Sequence, residues 1–373
     1  MAIVIEPYRE KHEPAVAEFN RRLREATADR DLVFSQKAIP SWLPRTGDIP
    51  VWNEFFLAVD GDAVRGAYAL KHEQIFVRGK GVYQVACYHH ALSEGIIDRS
   101  YARVGSLLVR DALARQPLLY ALGMGGYERP LAKMLSALGF SLTLVPFYFR
   151  VVHPYTFLLE MQVLRESQWR AVLMNAAAVT GTGWLAIKFA QGVAGLRGHP
   201  GHFLAEEVTE FSEWAGDLWT KARDAVSIGS VRDANTLRVL YPASDRYLTR
   251  VRVSRDGAAI GWAVVGERRE DTQKFGDMRV GSLIDCWAAP NDAAAVVRAA
   301  ARALEKRGAD LIVSNQSHHA WRRALENAGF LKGPSNFVFA ASKKLTELLQ
   351  PFDENRRSFH ITRADGDGLP RNF

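Results

Sequence analysis

The sequence predicts an α/β protein of two mixed-sheet modules in tandem, joined by a helical segment. Three observations carry that expectation. A strand, Asp-Gly turn and strand occur twice, as FFLAVDGDAVRGAYAL at 55–70 and YLTRVRVSRDGAAIGWAVV at 247–265. The elements that follow each hairpin recur in the same order. The length of 373 residues, with 48% hydrophobic and 24% charged residues, suits two ordinary cores without staples.

An apolar run broken by Asp60-Gly61 or Asp256-Gly257 is a hairpin signal, because Asp and Gly accept positive φ. Gly66 and Gly261 fall at matching places in the second strands, where a glycine implies a bulge or a close backbone approach. An apolar strand with a cysteine follows in each copy, VYQVACYHHA at 82–91 and GSLIDCWAAP at 281–290. Next comes an Ala/Leu/Arg helix, VGSLLVRDALAR or DAAAVVRAAARALEKRG, the latter with Asn291 and Asp292 as caps. A buried-type strand, a helix ending in Gly-Phe and a last strand complete each copy. Sheets so ordered carry helices on their faces. The expected modules run 1–153 and 201–350. Residues 154–200 form the helical linker, broken at Thr180-Gly181-Thr182-Gly183, and 351–373 form a frayed tail.

The net charge is +7 and the pI about 9.4, but the basic residues are scattered, as in ESQWRAV and ALEKRGAD. Without a Lys/Arg block they read as solvated surface, which argues against nucleic acid as a partner. Cys87 and Cys286 make neither a disulfide framework nor a metal cluster, so no metal is expected. The N-terminal MAIVIEPYREKHEP lacks the apolar run of a secretory signal, and a cytoplasmic location is expected. Residues 169–196 are apolar for a linker. They suit a packed helical hairpin or, alternatively, peripheral contact with a membrane, since the glycines and Lys188 argue against a span. There is no G-x-S-x-G elbow, Walker loop or H-E-x-x-H. The GMGG at 123–126 reads as a turn beside a cleft.

The order of elements resembles the GNAT superfamily of N-acetyltransferases, present twice, with a distant likeness to the tandem FemABX-type transferases. The segments that carry it are IEPYREKHEPAVAEFNRRL, AVDGDAVRGAYAL, RVGSLLVRDAL and LSALGF in the first copy, and VSRDGAAIGWAVV and ALENAGF in the second. The resemblance implies acyl transfer from a coenzyme A thioester, acetyl or a related acyl, to an amine or hydroxyl of a small or glycan-like acceptor. It implies a pyrophosphate loop opening a helix, whose N–H groups hold the coenzyme. The best match is Ser100-Tyr101-Ala102-Arg103-Val104-Gly105-Ser106. Gly105 stands at the last glycine, while Ser100 and Arg103 replace the family's Gln or Arg and its first glycine. Arg99, Arg103, Val104, Gly105 and Ser106 are the expected coenzyme contacts. In the second copy, Ala289-Pro290-Asn291-Asp292 leaves only a tight turn. There 44 positions separate Cys286 from Phe330, where 53 separate Cys87 from Phe140. The first module is therefore the expected donor site. The tyrosine that many relatives use as general acid is replaced by Leu135 and Leu325.

An acceptor amine must lose a proton to a group of near-neutral pKa beside the thioester. His89, His90 and Glu94 lie at the end of the strand that should run there, and are the expected catalytic groups. His89 and His90 would face opposite sides of a regular strand. His72 and Glu73, on the preceding strand, are weaker candidates. In the second copy Asp285, Asn315, Gln316, His318 and His319 gather polar groups at strand ends and form the expected acceptor site, with helix capping as the plainer account. Two other functions fit: a non-catalytic scaffold, favoured by Leu135 and Leu325, and a transferase using aminoacyl-tRNA, favoured by the positive charge.

Overall fold

The computed structural model describes residues 3–27, 32–161, 182–195, 201–272 and 275–366. The chain divides into two α/β units. Unit 1 comprises Met1–Thr143, Val338–Asp353 and Asp365–Asp367, and unit 2 includes Leu144–Phe337 and Glu354–Ala364.

Unit 1 is built on strands β1 (Val4–Pro7), β2 (Trp52–Asp60), β3 (Ala63–Val77), β4 (Gly81–Ser93), β5 (Leu119–Gly123) and β6 (Ser141–Leu144). Unit 2 uses β7 (Phe147–Val151), β8 (Leu204–Val208), β9 (Ile228–Ser230), β10 (Leu248–Arg255), β11 (Ala258–Thr272), β12 (Gly276–Ala288), β13 (Leu311–Asn315) and β14 (Leu331–Gly333). Two strands follow late in the chain, β15 (Val338–Ala341) and β16 (Phe359–His360). The first sheet runs β1-β2-β3-β4-β5-β15-β6 and the second β14-β7-β13-β12-β11-β10-β8. β4 pairs parallel with β5, and β12 parallel with β13.

The glycines that match in the sequence occupy matching places in the two sheets. Gly257 (φ +80°) turns the hairpin of unit 2 with Asp256 (φ +50°), and Gly61 (φ +63°) turns that of unit 1. Both interior glycines are forced by the helix behind them. A Cβ on Gly66 would lie 2.6 Å from Val104 Cγ1, and one on Gly261 would lie 2.4 Å from Val296 Cγ2. These contacts seat helix α2 (Val104–Arg115) on β3, while the second helix, Ala293–Lys306, takes the same place on β11. Both Gly-Phe motifs end a helix. Phe140 N donates to Leu135 O at 3.1 Å and Phe330 N to Leu325 O at 3.0 Å, the 6→1 bond of a Schellman cap. Leu135 and Leu325 are themselves fully buried.

The closing strands differ from expectation. β7, expected to end the first module, lies in the second sheet between β14 and β13, antiparallel to both. β15, expected to end the second, pairs antiparallel with β5 in the first. The boundaries 1–153 and 201–350 therefore do not mark the units. The expected frayed tail is also corrected over 351–366. Phe359, His360, Ile361, Thr362 and Asp365 are all 5% exposed or less. Burying Phe359 and Ile361 contributes about 1.5–3 kcal/mol each against the entropy of ordering the segment.

The remaining helices used below are α1 (Glu13–Ala26), α3 (Pro130–Ala137), α4 (Pro154–Glu160), α5 (Thr182–Gly195), α6 (Glu213–Ala222), α7 (Ala234–Leu240), α8 (Ala293–Lys306) and α9 (His319–Asn327). In unit 1, α2 and α3 pack on the face carrying Phe56, Tyr68 and Tyr88. Helix α1 covers the other face through Val16, Phe19 and Leu23 against Leu57 and Ala67. In unit 2 the alanines of α8 allow close seating on β11 and β12 around Ala263, Leu283 and Cys286. Of the expected linker, the described residues hold α4, which overlaps the first expected helix only at Leu158–Glu160, and α5. Most of the first expected linker helix, and 169–181 of the apolar stretch, lie outside them. No described helix is long and apolar enough to cross a membrane. Leu185 and Phe189 of α5 are 61% and 74% exposed.

Candidate functional site

In a regular parallel pair β4 would stay bonded to β5 along its length. Here the register holds only at Ala86↔Leu119 and Cys87↔Tyr120. β4 runs on to Ser93, so beyond Cys87 its edge toward β5 has no strand partner among the described residues. A bulge sits at the divergence, because Ala69 pairs His89 but Ala67 pairs Leu92. His90 occupies it with φ +51°. The wall on the other side follows β5, where Gly123, Met124, Gly125 and Gly126 all have positive φ (98°, 57°, 74° and 112°). The sequence gives this turn its three glycines, which adopt such angles without strain.

Helix α2 starts just past the C-terminal end of β4. Its N-cap, Arg103, contributes no side-chain hydrogen bond to the first turn, which leaves those N–H groups without side-chain caps. Arg99 and Arg103 are exposed, Val104 is buried, and Ser106 Oγ donates to Arg103 O at 2.8 Å. A Cβ at Gly105 would meet nothing closer than Met134 Sδ at 3.8 Å, so packing does not demand glycine there. Asp98 turns the loop by accepting from Ser100 N at 2.9 Å, and that bond holds its carboxyl below the usual range.

The expected catalytic residues have unlike surroundings. His89 is 5% exposed. Its Nε2 lies 3.1 Å from Asn53 Oδ1, and Asn53 Nδ2 donates to Trp42 O at 3.0 Å. That orientation of the amide makes His89 Nε2 the donor and leaves the lone pair on Nδ1, which has no hydrogen-bond partner among the described residues. Burial first, then the neighbouring His90 and Lys71, pushes the His89 pKa well below the imidazole range. His90 is exposed, with its ring edge-on to Phe34 at 6.0 Å. Glu94 is 4% exposed and held by Arg22 Nε at 2.7 Å and Arg65 Nη1 at 2.9 Å. Both of its oxygens are engaged by guanidinium groups, one from α1 and one from β3. This corrects the expectation for Glu94: it ties α1 to the end of β4.

A polar row that sequence reasoning missed crosses the same sheet. Asn53, Lys71, Cys87 and Tyr120 are register partners on β2, β3, β4 and β5. Lys71 and Glu73 are buried, 3.5 Å apart. Lys71 Nζ donates to Gly366 O at 3.1 Å, and the Tyr120 hydroxyl lies against Glu73 and the Asp365 carbonyl. Burial and the Glu73 charge raise the Tyr120 pKa well above that of a free phenol. His72, set aside on the sequence, stacks on Trp52 at 4.7 Å and pairs with Glu54 at 2.9 Å. The i, i+2 spacing of Lys71 and Glu73 was the one available signal for a shared face.

Unit 2 repeats the bulge and the divergence, but its own chain fills the opening. β12 follows β13 from Val280↔Leu311 to Leu283↔Ser314, and Ile284 bulges between Leu283 and Asp285. Beyond, Gln316 pairs with Thr362 and His360 Nε2 donates to Cys286 O at 2.9 Å. Four of the five expected acceptor residues are buried here. Asp285 accepts from Arg232 Nε (2.7 Å), Tyr241 Oη (2.7 Å), Cys286 N (2.9 Å) and Thr362 Oγ1 (3.1 Å). Gln316 donates to Cys286 Sγ at 3.4 Å, and Asn315 Oδ1 accepts from Arg363 Nη1 at 3.4 Å. His318 caps α9 by accepting from Ala320 N at 3.2 Å, and burial drops its pKa to about 3. His319 is exposed beside Arg357 O at 3.2 Å. These residues gather around the segment Phe359–Arg363. This corrects their reading as an open acceptor site.

No protein-family model matches the chain, and no curated protein matches it in sequence. Among solved structures, it is similar to Saccharomyces cerevisiae N-myristoyltransferase with bound myristoyl-CoA, with TM-score 0.53 and 11% identity over 91% of this chain and 78% of that one. A second structure of that enzyme, with myristoyl-CoA and inhibitors, gives 0.51 and 11% over 99% and 85%. A probable N-acyltransferase of unknown function from Enterococcus faecalis V583 gives 0.51 and 10% over 92% and 74%. At such identities the likeness is one of fold: α/β units built on two mixed sheets.

Proposed function

We propose that this chain is an acyltransferase that takes its acyl group from a coenzyme A thioester bound at unit 1. The carrying observation is the divergence of β4 from β5 directly before the uncapped first turn of α2. A thioester laid along β4 finds backbone N–H groups that no neighbouring strand uses. The pyrophosphate then reaches N–H groups at the positive end of a helix, with Arg99 and Arg103 beside it. The filled opening of unit 2 supports placing the donor in unit 1. The similar N-myristoyltransferase structures, which hold myristoyl-CoA, support an acyl-CoA donor.

The acceptor is an amine or a hydroxyl. Its nitrogen or oxygen attacks the thioester carbonyl, the C–S bond breaks, and the coenzyme leaves as thiolate, which a proton from solvent neutralises. Backbone N–H groups of β4 stabilise the tetrahedral oxyanion and need no particular side chain. His90, exposed at the bulge, takes the proton of the acceptor directly or through water. His89, buried and neutral, holds the bulge through Asn53.

The test is calorimetry with acetyl-CoA and myristoyl-CoA on the full chain, followed by thiol release over a panel of amines. Saturable binding that weakens about tenfold in Arg103→Glu is the expected result, on the scale of a lost charge-assisted contact. No binding of either thioester, or binding indifferent to Arg103, would overturn the proposal and leave the scaffold reading.

A further inference from the structure

Unit 2 contains a cavity of about 410 Å³, within the size range of small-molecule sites, and none of the acyl-transfer groups lines it. Four cationic side chains converge on it: Arg150 from β7, Lys188 from α5, and Arg298 and Arg302 from α8. Glu305 is the one carboxylate among the lining residues, and its Oε1 pairs with Arg150 Nη2 at 2.7 Å. Arg298, Arg302 and Glu305 follow an i, i+4, i+7 spacing and so share one face of α8.

Three of the cations also meet neutral groups. Arg298 Nη2 donates to Asn327 O at 3.0 Å, Lys188 Nζ donates to Val152 O at 3.2 Å, and Arg302 lies over the Phe203 ring at 5.3 Å. Their mutual repulsion is physical. Burial and then Arg150 lower the Lys188 pKa, and burial, Arg302 and Arg150 lower that of Arg298. Gathering like charges this way costs stability unless an anion neutralises them.

A second observation points the same way. Gln191 of α5 lines the cavity and is 7% exposed, yet neither atom of its side-chain amide has a hydrogen-bond partner among the described residues. Buried amides are normally satisfied, and this one offers a donor and an acceptor at the cavity wall. The wall is also built for close approach. Gly329 has φ +80°, and a Cβ there would lie 3.2 Å from Gln191 O.

We propose that this cavity is a binding site for a diphosphate ester bearing hydroxyl groups, of the nucleoside diphosphate class. Four cations against one carboxylate leave an excess of three positive charges among the lining residues, which a diphosphate matches. Guanidinium groups bind phosphate oxygens in a fork, and Lys188 adds a point charge. Gln191 gives one hydrogen bond to a phosphate oxygen and accepts one from a ligand hydroxyl. The site lies apart from β4 and α2 in sequence and stands whether or not the acyl-transfer reading holds.

The experiment is calorimetry and thermal melting of the full chain at low salt with inorganic pyrophosphate, ADP and coenzyme A. Pyrophosphate and ADP should bind and raise Tm, since a ligand that binds only the native state stabilises it. Arg302→Gln and Gln191→Leu should each weaken ADP binding by about tenfold, the order expected for one lost contact to a charged group. Because Arg302→Gln relieves repulsion, its Tm without ligand should not fall, which separates lost binding from lost folding. Coenzyme A binding unchanged in Arg302→Gln assigns the cavity to a separate diphosphate. Coenzyme A binding lost in it makes the coenzyme the source of the diphosphate and moves the donor site out of unit 1. No binding of pyrophosphate or ADP at millimolar concentration, or binding indifferent to both substitutions, overturns the proposal.

Discussion

Replacing Glu94 by Gln separates a structural carboxylate from a catalytic one. The carboxylate is 4% exposed and receives Arg22 Nε at 2.7 Å and Arg65 Nη1 at 2.9 Å. Removing one partner of a buried ion pair typically costs about 3–5 kcal/mol, because the other charge stays buried. Here both arginine side chains are 22% exposed and regain some water, and Gln keeps one acceptor oxygen, so a loss of about 2–3 kcal/mol is expected. For a unit of this size that corresponds to roughly 5–10 °C in Tm. The loss should be local, since the bonds join α1 to the end of β4. Hydrogen exchange read by mass spectrometry should therefore accelerate in peptides covering 13–26 and 85–98 before the rest of the unit. Turnover, measured well below the melting point, should stay within about threefold of the parent, whereas loss of a general base would cost roughly 10²-fold or more. An unchanged melting point with a hundredfold loss of turnover would refute the structural reading and restore Glu94 as the base.

Gly66→Ala and Gly261→Ala should each cost about 1–3 kcal/mol by overpacking, with Gly261 the worse. Its Cβ would meet Trp287 O at 2.8 Å, and backbone cannot move aside as Val104 can; equal denaturant midpoints for the two variants would contradict this. His318, whose pKa falls from 6.5 to about 3, binds its proton less readily folded than unfolded. Its contribution is therefore intact above about pH 6.5 and is lost as pH falls toward 3, by about 1.4 kcal/mol per unit. In His318→Asn, which keeps a helix cap, the slope of stability against pH over that window should drop by one proton equivalent. Arg232→Met strands Asp285 among hydroxyl and amide donors and should cost about 3–5 kcal/mol, read as the urea midpoint of unit 2.

Much of the fold was legible in the sequence because the repeat writes its constraints locally. Asp-Gly marks the hairpins, Gly66 and Gly261 mark the points where a helix crosses a strand, and Gly-Phe marks the caps. What was not legible depends on distant partners. The strands FYFRV and VFAA have the apolar character of a last strand in either sheet, so composition could not say that each lies in the sheet of the other copy. The contrast between His89 and His90 was expected from strand alternation. It is set instead by a bulge, which is defined only by pairing with β3. The row Asn53, Lys71, Cys87 and Tyr120 exists only once four strands are in register. Arg150, Lys188, Arg298 and Arg302 looked like scattered surface charge because the chain positions that bring them together are far apart.

The two modules share a bulge and a divergence yet cannot share a role. In each sheet the bulge ends regular pairing between the parallel strands, and an unpaired edge must find donors and acceptors somewhere. Unit 2 meets that requirement from within: Thr362 and His360 bond Gln316 and Cys286 O, and Thr362 reaches Asp285. Within unit 1, Asp365 and Gly366 give their carbonyls to Tyr120 and Lys71 on the polar row. Those contacts fall on the face covered by α1, since Lys71 and Ala67 are four residues apart on one strand, whereas α2 packs on the opposite face. The residues that close the opening of unit 2 are thus distinct from Asp365 and Gly366, which belong to unit 1 and meet its sheet on the face away from α2. If the edge of β4 beyond Cys87 is where a thioester binds, deleting 359–373 should destabilise unit 2 by exposing Asp285 and His318, while Arg103-dependent coenzyme binding persists. Coenzyme binding that appears only after the deletion, and is sensitive to Asp285→Asn, would place the donor in unit 2 and reverse the assignment.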